Sequence, residues 1–255
     1  MGDRRVALVT GGRRGIGRGI ACALAEAGFD VVVNDIVADS EVDTTLATIS
    51  KLGASGVFAE ADITDLSTHE SLIDGVYAAF GRFDCLVNNA GVMAVRGDLL
   101  EGAPEDFDRV MAINLRAPFF LTQATGRRML AEDDKRDGRS IVTISSVNAV
   151  MVSPEKNAYC ISKSALPMMT QMFAMRLGEH GIACYEVRPG FIKTDINIAV
   201  RDVFSARIEA GETHIRRWGE TEDVGRAVAS LAAGALPYTT GHAVYVDGGL
   251  GLHRL

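Results

Sequence analysis

Excess positive charge is missing from this 255-residue chain: 33 acidic residues outnumber 26 lysines and arginines, giving a formal net charge of −7. That balance repels a phosphate backbone, which argues against nucleic acid and against acidic macromolecular partners. Long apolar runs are missing too. No stretch reaches the ~20 uncharged residues a helix needs to cross a bilayer, so no membrane partner is expected. Cysteine is sparse and scattered (Cys22, Cys85, Cys160, Cys184), with neither metal-ligand spacing nor a disulfide framework. Free thiols in a reducing compartment are the simplest account, and no metal site is expected. Met1-Gly2-Asp3-Arg4-Arg5 leads directly into the apolar run Val6–Val9. That run is too short for an export signal and lacks a small-residue cleavage site, so a cytoplasmic location is expected. No linker rich in proline or serine divides the chain, which therefore reads as one domain over 1–255.

What is present is a core and a rhythm. Hydrophobic residues make up 47% of the chain and charged ones 23%, enough for a substantial interior. Short β-rich runs occur at Val6–Val9, Val31–Asn34, Gly56–Ala59, Cys85–Asn88, Ser140–Ile144, Ala183–Val187 and Ala243–Val246. Most are continuously apolar, as in strands buried on both faces of a parallel sheet. Between them lie the helix-length segments Gly17–Ala27, Leu66–Phe80, Phe107–Leu130, Ala158–Glu179 and Glu222–Ala233. This alternation predicts an α/β, Rossmann-type doubly wound fold: seven parallel strands with helices on both faces. Two segments interrupt it. Ala131–Gly138 reads as a charged surface loop, and Asn197–Trp218 is an insertion long enough to cover a site, part of a lid expected at about 192–218.

Directly after the first strand stands Thr10-Gly11-Gly12-Arg13-Arg14-Gly15-Ile16-Gly17, followed by a helix. A glycine turn from strand to helix brings backbone close to a phosphate and aims N-terminal N–H groups at it. Asp35 ends the second strand, eighteen residues beyond Gly17. Its carboxylate is placed to accept hydrogen bonds from a ribose diol and to repel a 2′-phosphate, which favours NAD over NADP. Arg14 pulls the other way, toward NADP, but its long side chain can swing into solvent. No Gly-Lys-Ser/Thr follows, so a kinase-type phosphate loop is excluded.

Tyr159 and Lys163 are four residues apart on a predicted helix, with Ser146 thirteen positions before Tyr159. Residues i and i+4 share a face, so the Lys163 ammonium lies near the phenol. Bringing a tyrosine from ~10 to near ~7 takes roughly 4 kcal/mol, within reach of a nearby cation in a partly dry cleft. The neighbour Ser145 points to the opposite face and reads as structural.

With these motifs the chain resembles the short-chain dehydrogenase/reductase family over nearly its whole length, including its 3-oxoacyl-(acyl-carrier-protein) reductase branch. Thr10-Gly11-x-x-x-Gly15-x-Gly17 matches the family's cofactor signature, with Ile16 inside it. Asn88-Asn89-Ala90-Gly91 matches its second motif, and Asp62, followed by Ile63, matches the residue touching the adenine. Pro189-Gly190-Phe191-Ile192-Lys193-Thr194 matches the segment that holds the nicotinamide, and Val246-Asp247-Gly248-Gly249 also fits. The resemblance implies hydride transfer between NAD, or NADP, and an alcohol or carbonyl carbon. Tyr159 is then the acid or base, Ser146 holds the substrate oxygen, Lys163 binds the nicotinamide ribose, and Asn114 anchors a proton-relaying water. It also implies a homotetramer, with the helices at 107–130 and 158–179 packing across a two-fold axis. Met168, Met169, Met172, Phe173 and Met175 are apolar on more than one side, as such a helix requires.

The substrate is expected to meet Val92, Met93 and Ala94, the Ser146–Tyr159 segment, Phe191 and the 197–218 insertion. Asn148, Met151, Ser153 and Glu155 form a mixed set suited to a modest polar molecule rather than a steroid. In the carrier-protein branch, arginines on two surface helices meet the carrier. Here His180 replaces one, and Glu132-Asp133-Asp134-Lys135-Arg136-Asp137 occupies the other region, which leaves a sugar or polyol dehydrogenase as the competing reading. A methyltransferase would not need the Ser146, Tyr159 and Lys163 spacing, and a non-catalytic relative would usually have lost one of them.

Overall fold

The computed structural model describes residues 4–132 and 137–252. Its elements are β1 (Arg5–Thr10), α1 (Gly15–Glu26), β2 (Phe29–Asp35), α2 (Ser40–Lys51), β3 (Gly56–Glu60), α3 (Thr68–Phe80), β4 (Cys85–Asn88), α4 (Pro104–Met111) and α5 (Ala117–Ala131), then β5 (Arg139–Ile144), α6 (Asn157–Leu177), β6 (Ile182–Pro189), α7 (Arg201–Glu209), α8 (Thr221–Ala232) and β7 (Ala243–Val246). The strands form one seven-stranded sheet in the order β3-β2-β1-β4-β5-β6-β7, every pairing parallel. The predicted fold class is the one observed.

Two cores flank the sheet, and strand alternation divides the side chains between them. From β1, Ala7 and Val9 enter one core with Ile20 and Leu24 of α1, Ile49 of α2 and Val224 and Val228 of α8. Val6 and Leu8 enter the other with Leu72 and Ile73 of α3, Leu121 of α5 and Leu177 of α6. Helices α1 and α8 pack backbone to backbone. A Cβ at Gly225 would lie 2.3 Å from the Gly19 carbonyl oxygen, and one at Gly19 would lie 2.6 Å from that of Thr221.

One helix is added and one helical reading changes. Helix α2, not singled out from sequence, turns Val42, Thr45 and Ile49 inward. Asp39 caps it by accepting from the Glu41 N–H at 3.0 Å. The helix expected over 107–130 begins at Pro104 and is broken by a π-turn at Ala112–Arg116, closed by the Ala117 N–H donating to the Ala112 carbonyl. Pro118 explains the break, since it has no N–H to return to the carbonyl of Asn114 four residues earlier. Of the charged loop expected at 131–138, residues 133–136 lie outside the described residues.

Candidate active site

At the C-terminal ends of the strands, where the order reverses between β2-β1 and β4, a cleft of about 800 Å³ opens. This is where a doubly wound sheet binds its ligands. Gly11, Arg14, Gly15, Ile16 and Gly17 line its first wall, with Asp35, Asp62, Ile63, Asn89, Ala90 and Gly91 beside them. Ser146, Asn148, Tyr159, Lys163, Pro189, Gly190, Phe191, Ile192 and Thr194 complete it. Asn114 stands behind the wall.

The floor is tied at the tips of β1 and β4. Thr10 Oγ1 accepts from the N–H groups of Asn89 and Ala90, each at 3.1 Å, and Asn89 Nδ2 donates to the Thr10 and Gly11 carbonyls at 2.9 and 3.1 Å. The turn above is glycine for steric reasons. Gly11 has φ +61°, and a Cβ on Gly17 would sit 2.0 Å from the Gly11 carbonyl oxygen. The opening of α1 is thus a bare cradle of backbone, which fits a pyrophosphate. Opposite, Thr194 and Asn197 lock the segment after β6: Thr194 Oγ1 donates to Asn197 Oδ1 at 2.8 Å, and Asn197 Nδ2 donates to the Ile192 carbonyl at 2.7 Å.

The cation facing Asp35 is Arg13, which the sequence reading passed over for its neighbour. Arg13 Nε lies 3.6 Å from Asp35 Oδ2, and its guanidinium also binds Asp39. Arg14 is exposed at the N-cap of α1. Adjacent arginines in one turn point in different directions, and only the acidic partners on β2 and before α2 distinguish them.

Around the phenol the picture is also more specific. Lys163 Nζ donates to the Ile144 carbonyl at 2.9 Å and lies 5.7 Å from the Tyr159 ring centroid. Burial pulls the lysine down to about 8, partly offset by Glu186. Burial also pushes the Tyr159 phenol above its ordinary value, against a hydrogen bond with Ser146 that lowers it. The direction is opposite to the expected drop toward ~7: desolvation of the phenolate is the largest influence on Tyr159, and it raises the phenol. Ser145 Oγ turns away to donate to Glu186, which itself pairs with Arg188 at 2.7 Å, in line with a structural residue.

Asn114 is wholly engaged. Its Oδ1 accepts from Val92 N–H at 2.8 Å while Nδ2 donates to the Val92 carbonyl at 2.9 Å and to Ser162 Oγ at 3.1 Å. Asn148, expected to meet substrate, is likewise occupied: Nδ2 donates to the Met151 carbonyl and Ser153 Oγ, and Oδ1 accepts from Lys156 Nζ at 3.0 Å. Lys156, Arg96 and Arg207 also line the cleft and were not singled out from sequence. No motif marks them, because they reach the site from a 3-10 turn, a loop and helix α7.

The insertion before α8 folds as a 3-10 turn at Asp195–Val200 and helix α7. Phe191 stacks on Phe204 of α7 with centroids 4.6 Å apart, and Trp218 Nε1 donates to Ser205 Oγ at 3.0 Å. Ala94 is buried beside Val110 and Ala158 rather than in the cleft.

A family model described as enoyl-(acyl carrier protein) reductase matches residues 11–251. A 2-dehydro-3-deoxy-D-gluconate 5-dehydrogenase of Dickeya dadantii is 33% identical over 251 residues, covering 96% of this chain and 94% of that protein. The crystal structure of a 3-oxoacyl-[acyl-carrier protein] reductase from Brucella melitensis in complex with NAD is 49% identical, covers 100% of both chains and superposes with a TM-score of 0.96. A structure from Agrobacterium tumefaciens with bound NADP is 34% identical over 96% of each chain, with a TM-score of 0.86. With this fold, these motifs and these relatives, the chain belongs to the short-chain dehydrogenase/reductase family and is an oxidoreductase that acts on CH–OH groups with NAD or NADP.

Proposed function

We propose that Tyr159 is the acid–base group of this oxidoreductase, with NAD as the preferred cofactor. The observation that carries the first part is the partly buried Tyr159 phenol lining one cleft with Ser146 and Lys163, whose Nζ lies 5.7 Å from the ring centroid. In the reducing direction the phenol gives its proton to the carbonyl oxygen, while Ser146 holds that oxygen in line. A bound nicotinamide supplies the hydride at carbon, or accepts it in the oxidising direction. Gly11, Gly15, Ile16 and Gly17 would hold the pyrophosphate, Asp62 and Ile63 the adenine, and Asn89, Ala90, Gly91, Pro189, Gly190, Ile192 and Thr194 the nicotinamide side. Lys163 keeps a charge at the nicotinamide ribose. Because the Asn114 side chain is committed, its main-chain carbonyl, deprived by Pro118 of a helical donor, is the group that meets a relaying water.

Asp35 supports NAD, and Arg13 strengthens the case. Two carboxylates hold this guanidinium, so it is not free for a 2′-phosphate. Asp35→Ala removes the repelling charge and releases Arg13. The ratio of kcat/KM with NADP to that with NAD should rise about 10- to 100-fold, the effect of losing one like-charge contact. Wild-type enzyme preferring NADP at matched concentrations sinks the assignment.

We further propose a single domain with 192–218 as its lid, a small-molecule substrate, no nucleic-acid or membrane partner, and a cytoplasmic location. Four free cysteines and the absence, among the described residues, of any helix long and apolar enough to cross a membrane support the last. A homotetramer is supported by α6, where Met169 is buried while Met168, Met172 and Met175 are 59%, 57% and 86% exposed, an apolar stripe awaiting a partner. Equilibrium sedimentation should give four chains, and a single-chain mass refutes this. Both a sugar-acid dehydrogenase and 3-oxoacyl-carrier-protein reductases are similar to this chain.

A further inference from the structure

Lys156 closes the 3-10 turn Pro154–Lys156, three residues before Tyr159, and is only 9% exposed. Its Nζ donates to Asn148 Oδ1 at 3.0 Å and lies 5.9 Å from the Phe204 ring centroid on the lid side. Among the described residues no carboxylate lies within ion-pair distance of it. The acidic groups nearby are engaged elsewhere: Glu155 lies 3.7 Å from Arg96, and Glu212 binds Arg207 at 2.7 Å. Arg96, Arg207, Glu155 and the Cys160 thiol are the charges and titratable groups acting on Lys156. Arg96 and Arg207 are thus each paired with a carboxylate, and Lys156 is the cation of the three left without one among the described residues. A buried ammonium facing other cations and satisfied by one amide oxygen is costly unless an anion arrives. Burial, with Arg96 adding to it, holds this lysine below its ordinary value, a strain that an incoming anion would relieve.

We propose that Lys156 is the counter-ion of a carboxylate on the substrate, so that the enzyme acts on small hydroxy or keto acids rather than on neutral polyols or carrier-bound thioesters. This rests on the assignment of the Tyr159 cleft as the reacting site. Lys156 and Tyr159 leave the same stretch of chain and line the same cleft, so an acid held by one presents a carbon further along its chain to the other. A thioester has no charge to offer at that point. Asn148 acts as a positioning residue, fixing Nζ on the wall.

The test uses matched pairs that differ by the acid group: D-gluconate and D-glucitol, D-xylonate and xylitol, 3-hydroxybutyrate and 1,3-butanediol. Each is titrated into the NADH-saturated enzyme, with NADH fluorescence as the readout. At least one acid should bind about tenfold or more tightly than its neutral partner, the value of one ion pair of about 1.4 kcal/mol. Lys156→Met should erase that preference while leaving NADH affinity and the melting temperature undiminished. A structural lysine would lower the melting temperature instead, and that result overturns the proposal. So does a wild-type enzyme that binds NADH but favours no acid over its partner, a comparison that needs no variant. Failure to bind either NADH or NADPH brings down the oxidoreductase assignment itself and is read separately.

Discussion

Tyr159→Phe should cut turnover by about 10³-fold while NADH still binds to within about threefold of wild type. The substitution removes one oxygen and keeps the ring, so the wall of the cleft and the neighbouring Lys163 retain their packing. The proton is what is lost. In the proposed mechanism Ser146 is the other hydroxyl at the reacting oxygen, but an aliphatic hydroxyl is a far weaker acid than a phenol and cannot replace it. A 10³-fold loss corresponds to about 4 kcal/mol of transition-state stabilisation, a reasonable share for one positioned acid. Stopped-flow or steady-state turnover, paired with fluorescence quenching by NADH, separates chemistry from binding. Near-normal turnover would remove Tyr159 from its role.

The second large effect concerns the cradle. In Gly17→Ala the added methyl would lie 2.0 Å from the Gly11 carbonyl oxygen and 2.7 Å from Asn89 Nδ2, both parts of the cleft floor. Neither can retreat without pulling the β1 and β4 tips apart. NADH affinity should fall by about 100-fold or more, and overpacking should cost about 1–3 kcal/mol of stability. Gly75 in α3 is the control, because a Cβ there meets nothing within 4 Å. Gly75→Ala should leave binding intact and add about 0.5–1 kcal/mol by helix propensity. Wild-type affinity in Gly17→Ala, measured by fluorescence titration, would show that the pyrophosphate lies elsewhere.

The sheet was readable because its strands are short, continuously apolar and regularly spaced. The wall of the cleft was readable for a related reason: glycines at a strand–helix turn, and a Tyr–Lys pair one helical turn apart, are local patterns with local causes. Where several distant segments meet, local pattern is silent. Arg13 and Arg14 differ only in which one finds Asp35 and Asp39. Lys156 looks like any surface lysine until Asn148, Glu155, Arg96 and Phe204 are seen around it. The break before α5 escaped because the effect of Pro118 falls four residues upstream. The phenol failed to shift as expected because spacing gives the direction of a cation but not the desolvation opposing it.

The glycine contact between α1 and α8 joins residues near opposite ends of the sequence, and it bears on biosynthesis. While the chain is being made, α1 emerges early but cannot cover its Gly19 face until residues 221–232 leave the ribosome. The nascent dinucleotide half must therefore wait, its apolar surface open, for nearly all of translation. Such distant closure slows folding and prolongs exposure to aggregation, so chaperone demand should fall mainly on that interval.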